Sequence, residues 1–349
     1  MQPGLGRVHH RLPQLAAWEV VTVIVDVHNH FYPKAYLDAV RQGTCVARAG
    51  EDADGNLLII YEGDFNIVHP GHRDAAFRLE EIARNAIDCQ VLSMTTPGVH
   101  IEERGFAIEL ARAVNEGFRD IVRASGGRFE AFAALPLQAP GAAADELEHA
   151  VTALGLKGGT LFTNVNGRNL DHPDFEPVFE TAARLGAPLF FHPTTPVPST
   201  PYMDYRLAAT VGFTVDTTLC ISRLVFSGLL DRHPGLKVIS SHLGGCLPYL
   251  AERLDRGYLV YPELRGAARR PSDYLREIYY DCVLFDERTV TFAVDTMGVD
   301  QFMAGSDYPH QIGSLEKARA VIDALPFDEA AKSRIRSGNA QRVLNLAAI

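Results

Sequence analysis

The chain has 349 residues, 47% of them hydrophobic and 22% charged, enough to bury a sizeable core as one large α/β barrel or as two smaller domains. Lys and Arg number 33 against 43 Asp and Glu, a formal charge of −10, which excludes attraction to nucleic acid or anionic lipid by net charge but allows a local basic pocket for an anionic small molecule. The longest apolar run near the start, Val20–Val25, is far short of the roughly 18 residues of a membrane span, so no membrane association is expected. Residues 1–20 lack the basic, apolar and small-residue order of a signal peptide and read as an N-terminal extension. The five cysteines, Cys45, Cys89, Cys220, Cys246 and Cys282, are odd in number, scattered and without a Cys-x-x-Cys pair. They read as reduced thiols of a cytoplasmic protein.

A strand–helix rhythm fills the rest. Short apolar strands are expected at Val23–Asn29, Val91–Thr95, Ala131–Leu135, Gly159–Phe162, Leu189–His192, Val238–His242, Ile278–Leu284 and Phe302–Ser306. Apolar character on both faces suits strands covered on both sides of a parallel sheet. Helical patterns lie between them at Asp74–Ile87, Glu102–Ser125, Ala142–Leu154, Pro177–Leu185, Val211–Leu230 and Leu247–Tyr258, and the tail from Phe327 reads as one or two closing helices. Eight strands with intervening helices match a (β/α)8 TIM barrel. The alternative, a doubly wound open sheet, lacks a G-x-G-x-x-G after the first strand. Residues 21–349 are therefore read as a single barrel domain. Its small inserted flap, after the first strand at about 43–70, is rich in Gly, Asp and Asn, with Leu57–Tyr61 as one strand of a hairpin.

The first strand ends Asp26-Val27-His28-Asn29-His30. Residues two apart on a strand share a face, so His28 and His30 reach one point together. Other strands end in the same kinds of group: Phe191-His192-Pro193 on the fifth, Ser241-His242-Leu243-Gly244-Gly245 on the sixth, Gly305-Ser306-Asp307-Tyr308-Pro309 on the eighth. All C-terminal strand ends of a parallel barrel face one mouth, where active sites of that fold lie. His28, His30, His192 and Asp307 then offer three imidazoles and a carboxylate, a set suited to Zn2+ or another first-row divalent ion, with His242 beside them.

These motifs, with Leu135-Pro136-Leu137-Gln138-Ala139-Pro140 and Ser337-Gly338-Asn339-Ala340, resemble the amidohydrolase superfamily over about residues 23–346. The resemblance is to its amidohydrolase-related branch, which includes α-amino-β-carboxymuconate-ε-semialdehyde decarboxylase and related aromatic acid decarboxylases. It implies a (β/α)8 fold and one catalytic divalent metal, Zn2+ first with Mn2+ the alternative. It further implies His28, His30, His192 and Asp307 as ligands, and His242 as the acid/base working with a metal-bound water. A homo-oligomer, dimer or larger, is implied by the resemblance alone. Binuclear members use a lysine at the far end of the fourth strand, whereas Lys157 precedes that strand here, so one metal is expected.

Arg253 in Ala251-Glu252-Arg253-Leu254 matches an arginine that pairs with the substrate carboxylate in that resemblance, chemistry suited to a guanidinium fork. Two departures stand beside it. The flap segment Ile59-Ile60-Tyr61-Glu62-Gly63-Asp64 has no arginine, and His310 follows Asp-Tyr-Pro where an aromatic residue is expected. They argue against the muconate semialdehyde itself and for a different substrate, with one carrying a single carboxylate as the first expectation. Arg73, Arg78 and His69 read mainly as a solvated face, Phe31 as pocket lining or core, and Asp281 as a mouth-facing or loop-capping carboxylate. His9, His10 and Trp18 carry no functional reading. The expected reaction is non-oxidative decarboxylation of an unsaturated or aromatic carboxylic acid, the substrate being a small carboxylate. The alternatives are metal-dependent hydrolysis of a C–N, lactone or ester bond, and a metal-binding protein without activity.

Overall fold

The structure, a computed structural model, describes residues 23–62 and 64–347; the N-terminal extension, residues 1–20 with His9, His10 and Trp18, lies outside the described residues. Eight strands form the barrel: β1 Val25–His30, β2 Cys89–Ser93, β3 in two pieces, Phe129–Ala131 and Ala133–Ala134, β4 Gly159–Phe162, β5 Leu189–His192, β6 Val238–Ser240, β7 Tyr279–Asp281 and β8 Phe302–Met303. Each pairs in parallel with the next. β3 is interrupted at Phe132, whose N–H donates to the Leu92 carbonyl at 2.9 Å while Ala133 N–H turns to Gly158 at 2.8 Å. The barrel closes where Val27 N–H donates to the Ala304 carbonyl at 2.9 Å and Asn29 bridges Tyr308 in parallel. The expected (β/α)8 fold is borne out.

Local chemistry explains the elements. The helix Ala75–Arg84 starts at Asp74, whose carboxylate accepts from Phe77 N–H, and Ser314 caps Leu315–Ala324 in the same way, each satisfying a donor left open by the first turn. Gly186, left-handed at φ 62°, ends Glu176–Leu185 and turns the chain into β5. The barrel interior is filled by Val25, Val27, Val91, Phe132, Phe190, Ile239 and Met303, and its strand-start end is plugged by Ala340, Val343 and Leu344 of the closing helix Asn339–Leu344. Four α-helices among the described residues go beyond the sequence reading, Lys34–Gln42, Pro271–Leu275, Glu287–Met297 and Leu315–Ala324. At five to eleven residues they lie at or below the shortest window in which a helical period can be read.

The flap is a three-stranded antiparallel meander rather than a hairpin: Arg48–Glu51, Leu57–Tyr61 and Asp64–Val68. It is seated by Asn66, whose Nδ2 donates to Tyr32 Oη (3.0 Å), Thr96 Oγ1 (3.0 Å) and the Thr96 carbonyl (2.7 Å). Tyr61 Oη adds a bond to Thr96 Oγ1 at 2.9 Å. Ala208–Phe226 is long and apolar enough to cross a membrane by length and composition; here it is a partly buried outer helix following β5.

Candidate active site

β1 delivers His28 and His30 to the barrel mouth through a local slip in register between Asp26 and Asn29, one residue more on β1 than on its neighbour, as in a β-bulge. Val27 consequently belongs to the interior cluster with Phe190, while the His28 ring also meets Phe190, centroid to centroid 5.1 Å. The end of β8 approaches closely because Gly305 has no side chain: a Cβ there would stand 3.0 Å from His28 Cβ and 2.9 Å from Asp281 Cβ.

The hydrogen bonds around the imidazoles fix their tautomers. His28 Nδ1 lies 2.6 Å from Asp281 Oδ2 and donates to it. His192 Nδ1 is 2.8 Å from the Pro193 carbonyl, which only accepts. Ser93 Oγ donates to the Asn29 carbonyl at 2.9 Å, so at 3.2 Å from His30 Nδ1 it accepts from that ring. Three Nε2 lone pairs are therefore turned inward. The Nε2 atoms of His28 and His30 are 3.2 Å apart, Asp307 Oδ1 lies 3.3 and 3.1 Å from them, and His192 Nε2 is buried with no partner among the described residues. Lone pairs and a carboxylate crowded in this way repel unless a cation lies among them. A donor set of imidazoles and one carboxylate fits a single divalent metal ion.

Without a cation the neighbouring carboxylates keep an extra proton on His28, which a bound ion would displace. Burial disfavours charge on His28, yet Asp281 and Asp307 outweigh it and raise the imidazole to about 10. Burial lowers His30 to about 3 and pushes His192 far below its usual range. Asp307 stays well below the carboxylate range despite burial, because His242, His28 and His30 bond to it.

All five strand-end residues meet. The most compact group is His28, His192, His242 and Asp307, and His30 joins it through Asp307 in a second group with His310. His242 Nε2 is 3.7 Å from Asp307 Oδ2, its Nδ1 3.1 Å from Ser241 Oγ, and the residue is 9% exposed. His242 and Leu243 are left-handed, at φ 51° and 57°, a conformation costing about 1–2 kcal/mol per residue. Asp281 holds it by accepting both backbone N–H groups, at 3.1 and 3.2 Å. Asp281 thus faces the mouth and caps the loop at once.

A cavity of about 470 Å3 opens above this floor, bounded by His192, His242, Asp307 and His310, by flap residues including Asn66, and by Arg206 and Phe213 of the segment after β5. His310 reaches it, with Nε2 3.0 Å from Thr95 Oγ1. Two expected substrate contacts do not. Arg253 is exposed on the helix Leu247–Val260 and is not among the residues lining this chain's cavity. Phe31 is core, 2% exposed, its ring 5.5 Å from the Arg78 guanidinium.

Arg78 is not a solvated residue either. It is fully buried, bonds the Gly71 carbonyl (2.9 Å), Asn29 Oδ1 (2.8 Å) and the His30 carbonyl, and is lowered to about 10 by burial. It ties β1 to the loop after β8, with its guanidinium 4.9 Å from the Tyr308 ring. Arg73 is exposed and His69 lines the cavity. Lys157 Nζ sits 3.5 Å from Glu130 Oε1, ahead of β4 and at the opposite end of the barrel from the imidazoles. Arg206 was not anticipated; an isolated arginine in a loop carries no periodic or motif signal.

Residues 25–346 match the amidohydrolase family. The chain belongs to that family. It is 30% identical over 336 residues to 2-amino-3-carboxymuconate-6-semialdehyde decarboxylase of Dictyostelium discoideum, covering 92% of this chain and 91% of that one. Among solved structures it resembles 5-carboxyvanillate decarboxylase from Sphingomonas paucimobilis, at 25% identity and a TM-score of 0.83 over 93% of this chain and 100% of that one. It also resembles a dihydroxybenzoic acid decarboxylase from a Polaromonas species, with bound manganese and the inhibitor 2-nitroresorcinol, at 27% identity and a TM-score of 0.77 over 94% and 98%. The family's barrel and mouth are those described above.

Proposed function

We propose that this protein is a metal-dependent, non-oxidative decarboxylase of a small aromatic or unsaturated carboxylic acid, with Val25–Leu346 serving one reaction. The observation that carries the reading is the convergence of three tautomer-locked imidazole lone pairs and one carboxylate beneath a cavity of about 470 Å3, a volume suited to a single substituted ring. Relatives that share the fold and about a quarter to a third of the sequence are decarboxylases of such acids.

His28, His30, His192 and Asp307 would hold the ion. It supplies a Lewis acid that orients the substrate and stabilises the charge left as the carboxyl group departs. Asp307 divides its labour, one oxygen toward the His28 and His30 Nε2 atoms and the other toward His242. His242 is the acid/base: its Nε2 gives a proton to the ring carbon, the carbon–carbon bond to the carboxylate breaks, its electron pair forms the new C–H bond and CO2 leaves. The apolar wall of Ile67, Phe213, Leu284 and Ile312 strips water from the carboxylate and favours the neutral product. His310 positions the ring, its Nε2 oriented by Thr95.

Zn2+ is the proposed ion on the strength of its three-imidazole, one-carboxylate set; manganese in the Polaromonas relative makes Mn2+ the competitor, and elemental analysis with refilling of chelated protein decides. A homo-oligomer is supported by the exposed apolar stripe Val211, Val215 and Leu219, four residues apart, and by Tyr249, Leu259, Val260 and Tyr261. Sedimentation velocity tests it. A cytoplasmic location is supported by five free cysteines.

The deciding experiment supplies metal-loaded protein with hydroxybenzoates, aromatic dicarboxylates, lactones and amides while following CO2 and product. CO2 from an acid, lost on chelation and in His242→Asn, is expected. Hydrolysis of lactones or amides without CO2 from any acid would replace the proposal with a hydrolase.

A further inference from the structure

The rim of the cavity holds one group that the reaction above does not use. Among the described residues lining it, Arg206 is the single Arg or Lys. Its Nη1 donates to Asp64 Oδ1 of the flap at 2.7 Å and its guanidinium stacks over Phe65 at 4.3 Å, so the segment after β5 and the flap meet through this side chain.

An ion pair half open to water contributes little to stability, and the Arg206 side chain is 47% exposed. The backbone nevertheless takes two successive left-handed residues here, Tyr205 at φ 55° and Arg206 at φ 57°, which non-glycine residues rarely adopt. The turn does not bury Tyr205, which is 90% exposed; its result is the placement of the guanidinium. Of the five N–H donors of an arginine, one is engaged among the described residues, leaving the fork able to take a second anion bidentately. Asp64 holds the arginine through a single oxygen, a contact that a bidentate ligand anion can displace.

We propose that Arg206 is a specificity-determining residue that binds a second anionic substituent of the substrate, a carboxylate or phenolate carried on the ring away from the reacting carboxyl group, in exchange for Asp64. The inference rests on the cavity being the substrate site and selects aromatic acids with two anionic groups over simple ones.

The test is calorimetric binding of isophthalate and terephthalate against benzoate, using the full chain with its metal, in wild type, Arg206→Met, Arg206→Lys and Asp64→Asn. Wild type is expected to prefer at least one dicarboxylate by about 10–100-fold, the range of a charge-assisted hydrogen-bonded pair. Arg206→Met should erase that preference while binding benzoate as wild type does, Arg206→Lys should restore part of it, and Asp64→Asn should enlarge it. Absence of a preference in wild type, no dicarboxylate binding at all, a preference that survives Arg206→Met, or equal loss of benzoate and dicarboxylate binding would each overturn the assignment. Because the readout is binding, failure of wild type to release CO2 from any acid would sink the decarboxylase reading and leave this comparison to be judged separately.

Discussion

Asp281→Asn isolates what the buried carboxylate at the end of β7 does for the centre. Its Oδ2 accepts from His28 Nδ1 at 2.6 Å and His242 N–H at 3.1 Å; its Oδ1 accepts from Leu243 N–H at 3.2 Å and Val283 N–H at 2.9 Å. Every partner is a donor, and an amide has only one accepting atom. If the new NH2 replaces Oδ1, two buried backbone donors lose their acceptor and the left-handed His242–Leu243 turn loses one of its two anchors. If it replaces Oδ2, His28 is driven to the other tautomer, with an N–H where the inward lone pair stood. Leaving two buried donors unsatisfied costs about 2–6 kcal/mol, and losing the partner that orients a ligand imidazole typically weakens metal binding about 10–100-fold. Chelator competition should therefore show weaker metal binding, and urea denaturation of the metal-free protein a loss of stability. Wild-type metal affinity together with wild-type stability in Asp281→Asn would refute the accounting of donors and acceptors on which the site is built.

His192→Ala removes a ring whose only hydrogen bond among the described residues is to the adjacent Pro193 carbonyl. Its metal-free melting temperature should stay near wild type while the rise in melting temperature on adding metal, the linkage signature of binding to the folded state, is lost; a full metal-induced rise would remove His192 from the ligand set. His242→Asn should keep wild-type metal content by elemental analysis and lower kcat by about 10^2–10^4-fold, the usual loss for an acid/base; kcat within a few-fold of wild type would deny its role. Asn66→Ala cuts the three donor contacts that seat the flap. It should raise KM and speed proteolysis within residues 48–68 without changing metal content, and an unchanged cleavage rate would show that the flap is held elsewhere.

The barrel was legible because its cause is local. Short strands apolar on both faces, and glycines such as Gly186 at helix ends, follow from backbone geometry a few residues at a time. His28 and His30 could be paired from a period of two alone, and His192, His242 and Asp307 could be added because a parallel barrel sends every strand end to one mouth. The four short helices and the third strand of the flap escaped because their patterns are too brief to separate from loop.

The amino-acid order by itself thus determined the fold, the convergence of five polar strand ends and a chemistry fit for a divalent cation. Tertiary structure decided the rest. Asp281 pairs with a histidine 253 positions away, and Arg206 with an aspartate 142 positions away. Arg78 turned out to be a buried tie rather than a surface charge, and Arg253 lies off the cavity where His310 and Arg206 line it. Such facts depend on which remote segments the closed barrel brings to a common wall, and on the bulges and left-handed turns that aim each side chain. No periodicity along the chain records them.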